Sequence, residues 1–520
     1  MADWYPLPGT LRGPEGPPGV VPGTVSVTEH GATGDGVTDD TAAIQAAIDT
    51  SPVGSVIWFP PGTYLVSETI RLAPYRAYLG AGGRAQLSVI RAASGLTGGA
   101  VLAAQGWWGS ATACDNPIRM EGLMLDAASV PGTHGLVVFH FWSHFEDVQV
   151  GNVAGPAACG ILATDLGRDG VTVTTNSHSE NTFVRCRFLD HTDGATAFRA
   201  ESNNGQSNQD GHLLDGFFAA IAGDGVRITR AAGWSIENNH FYGIGFNAIA
   251  LQLCYATKVM RNYVEDFGGV NGANNDVAPT YGYFSGIALE SVLDTRASIV
   301  ALNTVSVLHP DEPEGYRWTA FYARAGAGQL LANVVFAGNT AVFANPTGPT
   351  TSRAWAYRFG EGDDTGRLLA VEWAGNQIQN VPWWQGTRLI LDAVTITEPG
   401  GAAGMIDPSQ LPAVLSEIRT GTVSVALTPN AARSAGGLIS NIAVTGNPTL
   451  GAPTNPSDGQ VLRYRFTAVG ATRTLTFAPA ILPTTGLDQS YEIPQGQTLV
   501  CALEYVGPRS AWLLTAATVG

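Results

Sequence analysis

Acidic side chains pose the first chemical question. In HGATGDGVTDDTAAIQAAIDT (30–50), Asp35, Asp39 and Asp40 crowd a glycine-rich loop that runs directly into an Ala/Ile segment. A Walker-type phosphate loop needs GK[ST], so that a lysine and a hydroxyl meet phosphate and magnesium, and this loop has neither. An EF-hand calcium loop needs acids at alternate positions and a closing Glu, which these three residues do not supply. They read as turn and N-cap residues. Further along, Asp210 and Asp215 flank the end of the polar loop ESNNGQSNQDG (201–211), and Glu237 follows one repeat later. These three are the candidate catalytic acids, because carboxylate catalysis at a glycosidic bond needs a pair about 5 Å or about 6.5–9.5 Å apart. A second polar insertion, 266–284, ends in Tyr281, Tyr283 and Phe284, whose aromatic faces beside amides suit sugar rings. The pair Trp383-Trp384 is either similar in use or a cover for the scaffold. His140 and His144 in FHFWSHFED have i, i+4 spacing, which gathers metal ligands on a helix, but the surrounding pattern is strand and corner. No metal site and no cofactor is expected.

The elements that must carry these residues repeat. Aligned on a strand with a polar or small residue followed two places later by an apolar one, the chain gives Cys186/Phe188, Gly216/Phe218, Asn239/Phe241, Asn262/Val264, Asn303/Val305, Asn339/Ala341 and Asn376/Ile378. Short strands bounded by Gly, Asn and Asp, repeating every 23 residues or more, indicate stacked coils. Parallel stacking about 4.8 Å apart piles like on like and sets the asparagines in a hydrogen-bonded ladder. In that frame Asp190 and Asp266 share a column but stand three coils apart, about 14 Å. Glu265 and Asp266, adjacent on one strand, point to opposite faces. Another column runs Glu201, Thr229, Gln252, Glu290. An open solenoid end needs a cap, and the segment after Asp40, with Ile44, Ala47 and Ile48 on one helical face, can supply it ahead of the strands VIWF (56–59) and TYLV (63–66).

The whole chain bounds the function classes. It has 520 residues, 45% hydrophobic and 13% charged, with 64 glycines and 30 prolines, which favours a mainly β protein of more than one part. A net charge of −16 without a basic run excludes nucleic acid as an expected partner. Lys258 is the single lysine, a ratio that fits a GC-rich coding genome. The five scattered cysteines include no CxxC pair and read as buried apolar residues. The start, MADWYPLPGT, lacks a signal-peptide pattern, and no stretch is apolar enough for membrane insertion, so folding in a cytoplasm is expected.

GATGDGVTDDTAAIQAAIDT, VIWFPPGTYLVS and YLGAGG (78–83) together resemble the N-terminal signature of the pectate-lyase-like, right-handed parallel β-helix superfamily, which includes polygalacturonases and bacteriophage tailspike and tail-fibre proteins. The resemblance implies an all-β chain: a right-handed parallel β-helix (solenoid) with an N-terminal capping helix over 25–395. The polygalacturonase Asp-rich set, with its His and Arg-Lys pair, is absent, so no catalytic residue is carried over. Residues 1–24 form an arm with a short collagen-like Gly-X-Y run (Gly13, Gly16, Gly19), 396–435 a linker, and 436–520 a C-terminal antiparallel β domain resembling the modules that end many phage tail proteins. This order implies a virion tail component (minor tail protein, tailspike or tail fibre) assembled in the host cytoplasm. The partners it implies are itself as a parallel homotrimer, other tail proteins and host surface polysaccharide. The alternative is a polysaccharide depolymerase, a glycoside hydrolase or lyase acting on the host envelope.

Overall fold

The structure is a computed structural model. It describes residues 23–520 except 83–86, 109–114, 175–178, 204–207, 270–283, 291–297, 308–316, 325–329, 344–352, 360–366, 375, 380–388, 392–418, 424–425, 428–438, 454–460 and 507–510. From Thr24 to Leu391 the chain winds as a right-handed parallel β-helix. Among the described residues one sheet has 12 strands, and a second has 21 strands in two rows joined by the long strands Gly62–Leu72 and Ser88–Ala104. Each full coil thus visits a first sheet, a second row and a third row, as in His212–Leu214, Phe217–Ile221 and Val226–Thr229.

The expected register is the observed one. Phe188, Phe218, Phe241, Val264, Val305, Ala341 and Ile378 pair in sequence down the second row and point inward where described. Inward aromatics stack at the coil repeat: Phe188–Phe218 at 4.7 Å, Phe218–Phe241 at 4.5 Å and Phe145–Phe183 at 4.7 Å between ring centroids. The asparagine ladder is equally regular. Asn262 Nδ2 donates to Ile236 O (2.8 Å) and to Asn303 Oδ1 (3.0 Å), while its Oδ1 accepts from Asn239 N (3.0 Å) and Asn239 Nδ2 (3.0 Å). Asn303, Asn339 and Asn376 repeat the pattern, so buried amides satisfy one another coil to coil.

Among the described residues, the one just before each ladder position adopts left-handed backbone. Asp147, Arg185, Asp215, Asn238, Arg261 and Leu302 have φ from 50° to 58°. A sharp corner must be turned in two residues, and the left-handed region turns it, at a cost that Asp, Asn and Gly bear best.

The segment Thr41–Thr50 is the expected helix and buries Ile44, Ala47 and Ile48. Its capping differs from expectation. Asp40 occupies the N-cap position, yet its buried carboxylate turns back to accept from Thr33 N (2.7 Å), Thr33 Oγ1 (3.1 Å) and Gly34 N (3.1 Å). Asp39 takes the first-turn Thr41 N–H instead (3.0 Å). Asp35 accepts from Val37 N, Thr38 N and Thr38 Oγ1, and the backbone bonds from Thr38 and Val37 lower its pKa to about 2. The opening loop is therefore a self-bonded turn.

Beyond Arg419 two further sheets form. Their last strands pair antiparallel as expected, Val461–Ala468 with Thr498–Val506 and Thr498–Val506 with Ala511–Val519. The sheets are mixed, because Arg419–Val423, Ile439–Val444 and Val461–Ala468 lie parallel. A separate core of Phe466, Leu475, Ile493, Leu503 and Trp512 sits among these strands.

Candidate functional site

The coil geometry separates the acids selected from the sequence. Asp210 and Asp215 stand at the two corners flanking the strand His212–Leu214, five residues apart, or about 16 Å along extended chain. Both are left-handed corner residues, with φ of 52° and 57°. Asp210 shares its corner column with Trp142, Glu180, Gly233 and Ala256, each also at positive φ. Glu237 lies on the next coil beside Leu214, and its backbone carbonyl accepts from Asp215 N at 3.0 Å. Its carboxylate is held by Arg261 Nη2 at 2.5 Å, and Arg261 Nε bonds Asn238 Oδ1 at 2.9 Å. Asp215 and Glu237 are thus neighbours, and Asp210 is not part of their group. The left-handed corner explains the aspartates by conformation.

The aromatic group also divides. Tyr281 and Tyr283 lie outside the described residues, as do Trp383 and Trp384. Phe284 is buried, 4% exposed, with its ring 5.8 Å from Trp318 and 6.0 Å from Phe246. It opens the strand Phe284–Glu290 and belongs to the core, which corrects its assignment to glycan contact. His140 is fully buried and burial pushes its pKa down to about 3, while His144 points outward to Glu146 at 3.2 Å. Opposite orientation on strand and corner keeps the two histidines from sharing a metal. Among the described residues no group of three or more His, Cys, Asp or Glu could hold a metal ion, and no helix is long and apolar enough to cross a membrane.

The outer surface of the third row is the most elaborated face. One outward column runs Arg71, Ala103, Val137, Leu162, Arg199, Arg227 by strand register. Its apolar middle is roofed by the short turn Gln105–Trp108, whose Trp107 packs with Ala103, Val137, Phe139, Cys159 and Leu162. Asp115 fixes that turn by accepting from Gly106 N at 2.6 Å, and burial raises the Asp115 pKa. His134 lies edge-on to Trp107 and accepts from Cys159 N at 3.0 Å. Burial, helped by Arg199, lowers its pKa to about 4, so it is a neutral acceptor at pH 7.

On the N-terminal side of this roof a groove of about 560 Å³ opens between the capping helix and the strand Gly62–Leu72. The helix contributes Thr41, Gln45 and Asp49, Asp39 precedes it, and the strand contributes Ser67, Glu68, Thr69 and Arg71, with Gln105 at the roof end. Its walls are pre-set. Ser67 Oγ donates to Asp39 (2.5 Å), Arg71 N donates to Gln45 Oε1 (3.0 Å), and Gln45 Nε2 donates to Asp49 (2.9 Å). Burial pushes the Asp39 pKa up, but bonds from Ser67 and Thr41 outweigh it and leave Asp39 below the ordinary carboxylate value. Trp108 stands at the roof end with the guanidinium carbons of Arg71 and Arg168 at 5.3 and 5.5 Å from its ring. Arg168 is itself fixed, donating from Nε to Gly98 O at 3.0 Å. Carboxylates, amides and hydroxyls beside a held indole can bind a polyhydroxylated ligand.

Toward the other end of the face, Arg199 pairs with Glu201 (3.4 Å), Thr164 Oγ1 donates to Glu201 (3.2 Å), and Arg227 pairs with the buried Asp224 (2.7 Å). The column Glu201, Thr229, Gln252, Glu290 read from the sequence is present in the strand register and continues to Arg324. Sequence reasoning passed over the groove and its tryptophan. The available signal was the run QGWWG (105–109), two tryptophans in a glycine-flanked turn directly after a strand.

Residues 24–245 match the family model described as rhamnogalacturonase A/epimerase, pectate lyase-like. That matched span makes up the N-terminal part of the parallel β-helix, which is similar to this family there. A probable glucan endo-1,3-beta-glucosidase of Arthroderma benhamiae is 46% identical over 48 residues, 9% of this chain, and the match spans 6% of that relative's length. Two solved structures resemble the chain at low identity. The Dettilon tailspike protein (gp208) is 13% identical, covering 93% of this chain and 79% of its own, with a TM-score of 0.45. The Azotobacter vinelandii mannuronan C-5 epimerase AlgE6 A-module is 16% identical, covering 72% of this chain and 98% of its own, with a TM-score of 0.42. The groove and Trp108 lie within the matched span.

Proposed function

We propose that this chain is a bacteriophage tail component, a minor tail protein, tailspike or tail fibre, that contributes to host recognition by binding a surface glycan on the outer face of the third row. The observation that carries the binding reading is the polar groove lined by Arg71 and Gln105, with Trp108 of the adjoining roof turn against Arg71 and Arg168. The tail reading is supported by the order of parts in the sequence: a Gly-X-Y arm, the solenoid, then a terminal β module. In this reading the protein works in the virion as a parallel homotrimer among other tail proteins, after assembly in the host cytoplasm. Binding of purified protein to host envelope glycans, compared between the natural chain and Trp108→Ala, tests the groove. Equal binding by both sinks it. Light scattering tests the trimer, which a clean 54.3 kDa species at micromolar concentration would exclude.

One observation favours a second reading, a depolymerase. Asp215 and Glu237 sit on neighbouring coils, joined by the bond from Asp215 N to Glu237 O at 3.0 Å. Incubation with the same glycans, followed by assay of reducing ends and of 4,5-unsaturated products, separates the two. Product release that disappears in both Asp215→Asn and Glu237→Gln establishes the enzyme, whereas binding without release leaves the adhesin.

A further inference from the structure

The outer surface of the second row carries flat side chains one above another, on a different row from the groove. Arg187, Phe217, His240 and Tyr263 occupy one outward register position on successive coils. The Arg187 guanidinium carbon lies 5.2 Å from the Phe217 ring centroid. Phe217 meets His240 at 5.3 Å edge to face, and His240 stacks on Tyr263 at 5.0 Å with 28° between planes. The next residue in the column is Thr304. One face of Tyr263 is therefore covered by the imidazole, and the other looks along the solenoid axis toward a rung that holds a short hydroxyl side chain. Tyr263 remains 42% exposed. Coils repeat at about 4.8 Å, a spacing close to that at which His240 stacks on Tyr263.

The surroundings of that rung are polar in a particular way. Glu265, two residues on from Tyr263, accepts or shares a proton with His240 Nε2 at 3.0 Å. Thr304 and Ser306 offer hydroxyls from the next coil, and Tyr242, 51% exposed, lies on the coil before Tyr263. An aromatic face bordered by a carboxylate and hydroxyls complements a ring with a C–H face and a hydroxylated rim. A fully apolar ring would leave Glu265 and the hydroxyls without new partners, and a uronate would meet the Glu265 charge.

We propose that this rung is a saccharide-binding site separate from the groove. A neutral pyranose takes the fifth place in the stack, its C–H face on Tyr263 and its hydroxyls toward Glu265, Thr304 and Ser306. The test is saturation-transfer NMR on the full chain with methyl α-glucopyranoside, methyl α-galactopyranoside, N-acetylglucosamine and glucuronate as probes. Transfer to the ring C–H protons of a neutral probe is expected, with glucuronate weaker. Measured in a Trp108→Ala background, which takes the groove out of the measurement, the signal should fall about tenfold or more on adding Tyr263→Ala or Thr304→Phe. Thr304→Phe fills the rung from an outward position and so guards against a folding artefact. Three results overturn the proposal: no transfer from any probe in the Trp108→Ala background; a signal there that is unchanged on adding Tyr263→Ala, which assigns it to another surface; or dissociation of an oligomer in Tyr263→Ala, which assigns the face to a second copy of the chain.

Discussion

Replacing Asn262 by alanine isolates what the asparagine ladder contributes. Asn262 is 1% exposed and its amide takes part in bonds to Asn239 N, Asn239 Nδ2, Ile236 O and Asn303 Oδ1, all within 3.0 Å. Asn239 Nδ2 keeps a bond to Leu213 O, and Asn303 Oδ1 keeps Asn262 N, so those two groups are only weakened. The buried Asn239 N–H loses its ladder acceptor, which costs about 1–3 kcal/mol, and the other lost bonds contribute about 0.5–1.5 kcal/mol each. The expected destabilisation is about 3–5 kcal/mol, felt locally. Coils interact with their neighbours only, so a global unfolding curve spreads the effect over a non-two-state transition. Hydrogen exchange of peptides covering 235–264 and 298–305 reads it directly, and protection there should fall by about 10²–10⁴-fold, with little change in 119–151. A loss below about threefold would refute the reasoning, because it would mean that neighbouring amides or water replace the missing side chain at almost no cost.

Acid should weaken the fold over a defined window. Burial lowers the pKa of His134 to about 4, His140 to about 3 and His191 to about 4, so between pH 6.5 and about 4 the unfolded chain binds protons that the native state refuses. Stability therefore rises with pH across that range, with a slope of up to about 1.4 kcal/mol per pH unit for each histidine, and urea unfolding that is flat from pH 4.5 to 7 would contradict it. Gly160→Ala should destabilise by about 2–4 kcal/mol, since a Cβ there meets Ala197 O at 2.5 Å and His191 Nε2 at 2.6 Å; an unchanged melting temperature would show that the third row yields. Cys159, Cys186, Cys254 and Cys501 are buried free thiols, with pKa raised by burial to about 11 for Cys159 and about 12 for the others. They should resist a thiol reagent in the native state and react fully in denaturant, and native labelling at Cys186 or Cys254 would reveal coil opening.

Much of the scaffold was legible because repetition multiplies weak signals. One apolar residue two places after one Asn says little, but the same pair at Asn239, Asn262, Asn303, Asn339 and Asn376 specifies register, and the strands pair accordingly. The helix at Thr41–Thr50 was readable from its apolar face alone. The site was less legible because it arises between elements distant in sequence. Gln45 reaches Arg71 across 26 residues, and Arg168 reaches Gly98 across 70, which no local pattern encodes. Aspartates misled for a conformational reason. Asp147 and Asp215 both immediately precede a ladder position, where left-handed backbone selects them without any demand for charge. Phe284 misled because an insertion's last residue is also the next strand's first, and the fold uses it as the latter. The exchange of roles between Asp39 and Asp40 lies below what spacing resolves, since either carboxylate can reach a helix N-terminus.

The corner that holds the ladder has a further consequence for how such a molecule can change. From Arg119 onward the link from the first sheet to the second row is always two residues, as at Gly122-Leu123, Asp147-Val148, Asp215-Gly216 and Leu302-Asn303. The links on either side of the third row vary widely, from Val264 to Phe284 in one coil and from Ile221 to Val226 in another. Insertion or deletion at the asparagine edge would break contacts with the coils above and below, whereas the other two edges absorb length without disturbing the stack. The protein thus has a spine that evolution must copy and margins that it is free to rewrite. The third-row face, with its groove, lies between those rewritable margins.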